Sequence, residues 1–379
     1  MRTLLVTSDF PPVVGGIQSY LRDFVQEVVD REGADSIVVF AATWNAEASA
    51  AWDAEQDYTV IRWPFPVLIA TPGVARKMAR IIRDYDIDTV WFGVTAPLAA
   101  LGGRAKRAGA RRVVSTTHGH EVGWAMIPIA RRFVSAAGDT ADVVTYISQY
   151  TLGRIQRAIG RRPEYVGLPS GVDTDFFRPA TAAQRWATRQ SLGVGEAPLV
   201  VCSSRLVPRK GQDRLIEALP LIREQVPNAQ LVIVGEGHYG RTLRRMAGEG
   251  VTFTGRVERE RLRDIVAAAD VFAMPARTRG GGLDLEGLGI VYLEAQACEI
   301  PVVAGDSGGA PEAVSPQSGI VVNGRDTRAI ADAITRLLLD DNLRSTMGRA
   351  GRAFVQKKYS WEVLGDRCVD VLMGRPTQD

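Results

Sequence analysis

Short, nearly continuous hydrophobic runs alternate along this chain with longer segments in which hydrophobic residues recur every three or four positions. The first half contains the runs TLLVTS, SIVVFAA, DTVWFG, RVVSTTHG and VVTYIS, which are typical of strands buried in a parallel sheet. Segments such as IQSYLRDFVQEVVD and GVARKMARIIRDY follow the helical period instead. In the second of these, one face carries Val74, Met78, Ile81, Ile82 and Tyr85. The alternation predicts a βαβ series and therefore a doubly wound parallel sheet.

The series is interrupted at residues 168–186, which include glycine and two prolines and show no clear period, so we interpret them as a linker. A second series follows, with the runs LVVCSSR, AQLVIVGEG, VTFTGRV, DVFAMPA, PVVAGDS and SGIVVNG. The chain is therefore predicted to form two Rossmann-like α/β domains, 1–170 and 171–359, facing a cleft. The amphipathic C-terminal segment 360–379 is a candidate to pack back on the first domain.

Composition indicates a globular protein and excludes little else. Hydrophobic residues make up 46% of the 379 positions and charged residues 23%, and a net charge of +3 is too small to indicate nucleic acid as a partner. Between Gly73 and Arg112, nine Lys or Arg face three Asp. This basic zone suits an anionic surface, although a solvated face is the commoner explanation of such a run.

Cysteine usage and hydropathy bear on the compartment. The three cysteines, Cys202, Cys298 and Cys368, lie far apart and form no CxxC pair, so we expect a reducing cytoplasm and no disulfide framework. The start, MRTLLVTSDF, is too soon acidic for a signal peptide and is interpreted as a first strand. No run approaches the 18 apolar residues of a spanning helix, so any membrane contact should be peripheral.

Two loops that lead from a strand into a helix are candidate phosphate sites. In SDFPPVVGGIQSYL, Gly15 and Gly16 let the backbone approach a ligand near a helix start, although an ordinary βα turn has the same composition. In SRLVPRKGQDRLIEAL, Arg205 and Lys210 precede a helix that begins near Gln212. Two long cations at a helix N-terminus predict a diphosphate site.

Two further motifs carry weaker signals. GEGHYG, residues 235–240, has the form GxGxxG with Glu258 about 20 residues on, but it follows the second strand of its domain, whereas a dinucleotide fingerprint belongs on the first. TTHGHEVGW brings His118, His120 and Glu121 together, which permits a metal site. We favour a histidine that orients a substrate hydroxyl, because no further ligand cluster is visible.

The apolar, proline-rich segment WPFPVLIATP, residues 63–72, is unlike a central strand. Its large side chains are either core or an exposed apolar loop. An exposed loop containing Trp63 and Phe65, beside the basic side chains of the following helix, is what a peripheral membrane or lipid-binding face requires. Those basic side chains are Arg76, Lys77, Arg80 and Arg83.

The stretch RTRGGGLDLEGLGIVYLEAQA places Glu286 and Glu294 eight positions apart. On one continuous helix they would be separated by roughly 12 Å, too far to flank one bond. We interpret GGGLDLEGLG as a loop leading into a helix that starts near Gly289. The free N–H groups from Gly289 through Ile290 to Val291 would then lie between the two glutamates, where a diphosphate could dock.

Together these motifs resemble the family 4 glycosyltransferases of the GT-B fold. GGIQSY, SRLVPRKG, LVIVGEG, GRV, GGAPEAV and EGLGIVYLEAQA match that family's pattern in order along nearly the whole chain. Within the family, DFPPVVGGIQSYL, STTHGHEVGW, RLVPRKGQD and FAMPARTRGGGLDLEGLGIVYLEAQA are most similar to the actinobacterial phosphatidylinositol mannoside mannosyltransferases.

The resemblance implies a retaining transfer of mannose from GDP-mannose to a phosphatidylinositol mannoside on the cytoplasmic leaflet, with no metal or other cofactor. Arg205 and Lys210 would bind the diphosphate, Glu294 the ribose, and Glu286 the donor sugar, with His118 near that sugar. The backbone at Arg256 and Val257 would meet the base. The first domain would take the acceptor, with Asp9 and Gln18 beside its glycine loop.

Other functions stay open on the same motifs. A family 4 transferase could use another nucleotide sugar and a soluble acceptor, since the donor base is not legible from these residues. A sugar-nucleotide epimerase and a non-catalytic sugar-nucleotide sensor could share the scaffold, because a fold does not fix a function.

Overall fold

The computed structural model describes residues 1–119, 121 and 128–376 of the chain. These residues form two compact units. The first consists of residues 1–170 together with the C-terminal segment from Trp361, and the second runs from Gly171 to Ser360. Each unit contains one parallel sheet with helices packed on it, as the alternating pattern predicts.

The sheet of the first unit has seven parallel strands. They are β1 (Thr3–Thr7), β2 (Ile37–Ala42), β3 (Thr59–Trp63), β4 (Thr89–Phe92), β5 (Arg112–Thr116), β6 (Val143–Tyr146) and β7 (Glu164–Gly167). Their order is β3-β2-β1-β4-β5-β6-β7, and all neighbours pair in parallel. The order reverses between β1 and β4, so their carboxyl ends form the topological switch point at which open α/β sheets bind ligands.

The helices of this unit that precede residue 170 alternate with its strands along the chain, as the hydrophobic pattern predicts. They are α1 (Gly16–Glu32), α2 (Ala46–Asp53), α3 (Pro72–Asp84), α4 (Gly102–Ala108), α5 (Pro128–Thr140) and α6 (Gln149–Ile159). α3 buries Val74, Met78, Ile81 and Ile82, which confirms the predicted apolar face. Tyr85 lies just beyond the helix end and packs, half-buried, against the same core.

The second unit has six parallel strands in the order β10-β9-β8-β11-β12-β13, with its switch point between β8 and β11. Their bounds are β8 (Leu199–Ser203), β9 (Gln230–Val234), β10 (Val251–Gly255), β11 (Val271–Met274), β12 (Val302–Gly305) and β13 (Gly319–Val322). Its helices are α7 (Ala182–Ser191), α8 (Gln212–Arg223), α9 (Gly240–Met246), α10 (Arg259–Ala267), α11 (Ile290–Ala297), α12 (Thr327–Leu339) and α13 (Asp341–Lys358). Each strand coincides with a predicted hydrophobic run.

The last helix, α14 (Trp361–Met373), belongs to the first unit. It buries Leu364, Cys368 and Leu372. The ring of Trp361 meets that of Phe24 on α1 edge to face at 5.0 Å between centroids. The apolar stripe of α14 is therefore covered by the first sheet and its first helix. None of the described helices is both long and apolar enough to cross a bilayer.

Two parts of the chain differ from the prediction. α7 begins at Ala182, inside the predicted linker 168–186, because Thr181 and Gln184 form a capping box. This helix buries the polar residues Thr188 and Arg189, so it shows no apolar stripe that a periodicity could reveal. The edge strands β3 and β7 were not predicted, since their residues are mostly half-exposed and lack a continuous hydrophobic run. The predicted fold class is otherwise confirmed in both units.

Candidate functional site

Topology brings together the candidate residues of the second unit. The loop after β8 carries Arg205 and Lys210, and the segment after β11 carries Glu286 and leads into α11. Since β8 and β11 are neighbours at the switch point, the carboxyl ends of these strands lie side by side. Residues more than 70 positions apart in sequence therefore meet at the place where α/β sheets bind their ligands.

Lys210 and Glu286 form a hydrogen-bonded ion pair. Lys210 Nζ donates to Glu286 Oε2 at 2.6 Å, and each side chain is only 10% exposed. Arg209 adds a second cation, with its Nε 3.9 Å from the same oxygen. Arg205 in the same loop is exposed. A buried lysine and an exposed arginine in one loop suit an anion with two phosphates, which would compete with Glu286 for the lysine.

A buried ion pair that the sequence motifs did not indicate ties the two loops together. Arg277, after β11, donates to both carboxylate oxygens of Asp213 on α8, at 2.9 and 2.6 Å. The side chains are 10% and 9% exposed. The backbone N–H of Arg277 also donates to the Arg209 carbonyl at 2.8 Å. In the sequence, Asp213 is a charged residue three positions after Lys210, and Arg277 is a charged residue just after a buried strand. Neither residue alone indicates an ion pair.

The helix predicted from Gly289 begins at Ile290, and no side chain caps its N-terminus. The first-turn N–H groups around Ile290 and Val291 are therefore available to a ligand. Glu286 lies in the preceding loop, where its own N–H donates to Ser307 Oγ at 3.1 Å. Glu294 lies inside α11. Burial raises the pKa of Glu294 to about 7, and the charge of Arg259 opposes that rise.

Arg256 and Val257 follow β10, the edge strand of the second sheet. Arg256 is exposed and Val257 is half-buried. β10 is two strands from β8, and because neighbouring strands are about 4.8 Å apart, the two strand ends are separated by roughly 10 Å. A ligand whose base lies there and whose phosphates lie at β8 would have to extend across the ends of the strands.

The glycines of GEGHYG have a structural reason. A Cβ at Gly235 would overlap the Ser204 carbonyl, and a Cβ at Gly237 would overlap the Leu206 carbonyl. The Leu206 N–H also donates to the Glu236 carbonyl at 2.8 Å. The loop after β9 thus packs closely on the loop after β8, which accounts for the spacing without a dinucleotide.

In the first unit, the loop after β1 holds a polar cluster at the switch point. Gln18 Nε2 donates to Asp9 Oδ1 at 2.8 Å. Gly15 precedes α1, and Gly16 is its first residue. A Cβ at Gly15 would overlap Gln18 Oε1, so this glycine gives Gln18 the space to reach back to Asp9. The four predicted residues of this loop are therefore neighbours.

His118 lies at the same edge of the first sheet, just after β5. Its Nε2 is 2.8 Å from the Gly93 carbonyl, and because a carbonyl only accepts, Nε2 carries the proton. The imidazole ring meets the Tyr20 ring edge-on at 4.9 Å. Glu121 accepts from the backbone N–H groups of His118 and Gly119, each at 3.0 Å, and so shapes the turn. His120, the other histidine considered as a metal ligand, lies outside the described residues.

The apolar segment after β3 divides between core and solvent. Trp63 is half-buried and packs against the core, and Leu68 is buried. Phe65, Val67 and Ile69 are about half exposed, at 59%, 47% and 50%. On α3, Arg76, Arg80 and Arg83 are exposed and Lys77 is half-buried. The structure thus exposes Phe65 and three of the four basic side chains, whereas Trp63 is turned partly inward.

Comparison with known proteins gives matches in both units. The family described as Glycosyltransferase Family 4 matches residues 14–176, and that described as Glycosyl transferases group 1 matches residues 184–354. A GDP-mannose-dependent monoacylated alpha-(1-6)-phosphatidylinositol monomannoside mannosyltransferase of Corynebacterium glutamicum is 54% identical, over 99% of this chain and 98% of that protein. The GDP-mannose-dependent alpha-(1-6)-phosphatidylinositol monomannoside mannosyltransferase of Mycolicibacterium smegmatis is 51% identical, over 98% of each.

Solved structures share the fold at much lower identity. The Anabaena Alr3699/HepE complex with UDP has a TM-score of 0.82 at 21% identity, over 99% of this chain and 100% of that one. Sucrose-phosphate synthase from Thermosynechococcus elongatus has a TM-score of 0.77 at 21% identity, over 99% of each chain. These likenesses confirm the GT-B fold class. The full-length identity above 50% shows more: this chain belongs to glycosyltransferase family 4.

Proposed function

We propose that this chain transfers mannose from GDP-mannose to a phosphatidylinositol monomannoside. Relatives carrying that activity in their names match this chain along 99% and 98% of its length. The observation that carries the proposal from the structure is the buried Lys210, held 2.6 Å from Glu286 at the switch point beside the uncapped α11. This arrangement supports the binding of a sugar joined to a diphosphate.

The proposed chemistry follows from the charges that develop during transfer. Breaking the bond between the sugar and the diphosphate builds positive charge on the anomeric carbon and negative charge on the leaving phosphate. Arg205, Lys210 and the N–H groups at the start of α11 would stabilise the phosphate, and such stabilisation of developing charge usually contributes more to the rate than any other effect. Glu286, released from Lys210 as the diphosphate binds, would accept hydrogen bonds from the sugar hydroxyls. Glu294 would hold the ribose.

We further propose that transfer needs no metal and retains the anomeric configuration. The cations of the β8 loop and the N-terminus of α11 supply the positive charge that a divalent ion supplies in other transferases. Activity should therefore persist in EDTA, and the product should carry an α-linkage, which NMR of the mannosylated product would report. Loss of activity in EDTA with recovery in Mg²⁺ or Mn²⁺ would contradict the first statement.

The acceptor is a lipid, so we propose that the enzyme works as a peripheral protein on the inner face of the plasma membrane. The exposed Phe65, Val67 and Ile69 precede the basic face of α3 and together form an apolar and cationic surface. Retention on anionic vesicles should fall when Arg76, Lys77, Arg80 and Arg83 are all changed to Ser. Co-sedimentation at several salt concentrations measures this, and no retention of the wild type at any salt concentration counts against it.

The decisive test is an assay with purified protein and a panel of donors and acceptors. We expect GDP release from GDP-mannose only when phosphatidylinositol monomannoside is present, and no release of UDP or ADP from the corresponding sugar nucleotides. Transfer to glycogen or another soluble glycan would indicate the alternative of a soluble acceptor. A thermal shift with GDP-mannose but no turnover with any acceptor would indicate a sensor instead.

A further inference from the structure

A cationic cavity lies in the second unit, on the same edge of the sheet as the proposed donor site but displaced toward β13. Its volume is about 460 Å³, and it is lined by residues 278–282 after β11, Asp306 after β12, and Asn323 and Arg325 after β13. Cavities of this size accommodate small-molecule groups. The diphosphate assigned to the β8 loop and α11 does not account for it.

The charge of this cavity favours an anion. Two guanidinium groups, Arg279 and Arg325, line it against the single carboxylate of Asp306, which already accepts from the Gly324 N–H at 3.2 Å. One guanidinium nitrogen of Arg325 donates a hydrogen bond to the Thr278 carbonyl. Among the described residues, the Arg279 guanidinium takes part in no hydrogen bond or ion pair. Two arginines with spare N–H donors are suited to the planar, bidentate recognition of a phosphate.

Three consecutive glycines form one wall of the cavity. Gly280, Gly281 and Gly282 all have positive φ, at 56°, 64° and 97°, in a loop closed by paired backbone bonds between Arg279 and Asp284. A Cβ at Gly281 would meet nothing within 4 Å, so packing does not require this glycine. The left-handed backbone conformation at this position does favour glycine. Because glycines have no side chains, peptide groups face the cavity along this wall.

The cavity is connected to the proposed sugar-binding residue through Ser307. The hydroxyl of Ser307 accepts from the Glu286 N–H at 3.1 Å and pairs with Thr278 Oγ1 at 3.1 Å. Thr278 itself lines the cavity. Leu283, which directly follows the three glycines, is 61% exposed, although it is a large apolar side chain. An anion site, an exposed apolar side chain and the sugar-binding loop are thus adjacent.

We propose that Arg279 and Arg325 bind the phosphodiester of the lipid acceptor, with Leu283 against its apolar part. The proposal rests on the proposed function, because it assigns the headgroup of the same lipid to this cavity. It also gives the second unit a share in acceptor recognition that the sequence motifs reserved for the first. The inositol ring next to the phosphodiester would then be held near Glu286 and the donor sugar.

The test combines each of several protein variants with each of two ligands. The variants are Arg279→Gln, Arg325→Gln and the double variant, with Arg328→Gln as the matched control, since Arg328 is an exposed arginine on α12 outside the cavity. The ligands are two water-soluble headgroups, one deacylated with its glycerophosphate and one without the phosphodiester. Transfer kinetics are measured for each, together with calorimetric binding in the presence of GDP.

For the wild type and the Arg328→Gln control, the phosphodiester should lower the acceptor KM and Kd by about tenfold or more, as expected for charge-assisted bonds. The double variant should lose that preference and keep its GDP affinity and its kcat at saturating acceptor. An equal loss for both headgroups would overturn the assignment. So would a double variant that loses inhibition by inorganic phosphate but treats the two headgroups as the wild type does, because the cavity would then be a site for free phosphate.

Failure of the proposed function would look different. In that case no variant, and no wild type, transfers mannose to either headgroup, while calorimetry still reports whether the phosphodiester binds and whether Arg279 and Arg325 are needed. Binding without a preference for the phosphodiester, in an enzyme that does transfer mannose, would reject this inference alone.

Discussion

At the scale of single residues, Arg205 and Lys210 belong to one loop but differ in burial. Arg205 is exposed, so Arg205→Ala should lower kcat by about 100-fold or more and leave the unfolding free energy unchanged. Lys210→Ala should lower kcat similarly and also cost about 3 kcal/mol of unfolding free energy, because the buried Glu286 loses its partner at 2.6 Å. Initial rates and urea unfolding measure the two effects.

The matched control for this pair is Arg214→Ala, which changes a half-buried arginine on α8 whose side chain pairs with the exposed Glu217 at 2.5 Å. It should change neither rate nor stability appreciably. Turnover like that of the wild type in both Arg205→Ala and Lys210→Ala would rule out the diphosphate assignment. Equal stability of those two variants would instead contradict the inference drawn from the Lys210–Glu286 bond.

Glu294 should make both stability and donor binding depend on pH. Burial raises its pKa from 4.5 to about 7, so between these values the folded chain binds a proton that the unfolded chain releases. Its contribution to stability is therefore full below about pH 4.5 and is lost as the pH rises through about 7. The unfolding free energy of Glu294→Gln should therefore rise relative to that of the wild type across that window, by at most about 3 kcal/mol.

Donor affinity should show the opposite trend in the wild type. In the proposed complex an ionised Glu294 would accept hydrogen bonds from the ribose hydroxyls better than a protonated one, so binding of guanosine, which has no titrating phosphate, should strengthen between pH 6 and 8, as calorimetry at a series of pH values would measure. In Glu294→Gln the profile over that range should be flat. A flat profile in the wild type would show that this carboxylate does not contact the ligand.

At the scale of elements, the loops after β8 and β11 are held together by the Asp213–Arg277 pair. Asp213→Asn breaks a buried ion pair that is joined by two hydrogen bonds, and it should loosen the loop that carries Arg205 and Lys210. GDP affinity should then fall by about tenfold or more while guanosine affinity changes little, because in the proposed complex only the diphosphate contacts this loop. Calorimetry with the two ligands, at a temperature where the variant is folded, separates the effects.

Arg214→Gln, one residue further along α8, serves as the control for Asp213→Asn, since it changes a half-buried charge near the same helix start that pairs with the exposed Glu217 and not with the loop after β11. It should bind both ligands as the wild type does. If GDP and guanosine lost affinity equally in Asp213→Asn, the pair would have a general structural role and would not position the phosphate loop.

At the scale of the whole molecule, the chain leaves the first unit near Ser170 and returns to it at Trp361. Leu364 of the returning helix α14 is fully buried, so Leu364→Ala should cost about 2–5 kcal/mol of unfolding free energy in the first unit. GDP affinity of the folded protein should stay the same, because the proposed donor residues lie in the second unit. Differential scanning and calorimetry measure both quantities.

Glu362→Ala is the control for Leu364→Ala, because Glu362 is an exposed residue of the same helix. It should leave the unfolding free energy nearly unchanged. A fall in GDP affinity for folded Leu364→Ala would show that donor binding depends on the packing of the first unit.

Local hydrophobic patterns were sufficient to predict the fold class and most of the local structure. Strands buried on both faces, such as β2 and β12, must be almost wholly apolar, so they stand out from their surroundings without tertiary information. Helix starts were also legible, because α8 and α11 each begin one residue after a glycine. The edge strands β3 and β7 and the polar helix α7 were missed because their partly exposed or polar residues lack that contrast.

Which charged side chains meet is set by the assembled fold. Lys210 bonds to Glu286 and Asp213 to Arg277 across 76 and 64 positions, because β8 and β11 become neighbours only when the sheet is assembled. The assembled fold also decides that Phe65 faces solvent while Trp63 packs half-buried on the core. Hydrophobic periodicity is a local property and can be seen along the chain. Ion pairs, exposure and cavities depend on distances that the order of the strands sets, and that order is not written in any single segment.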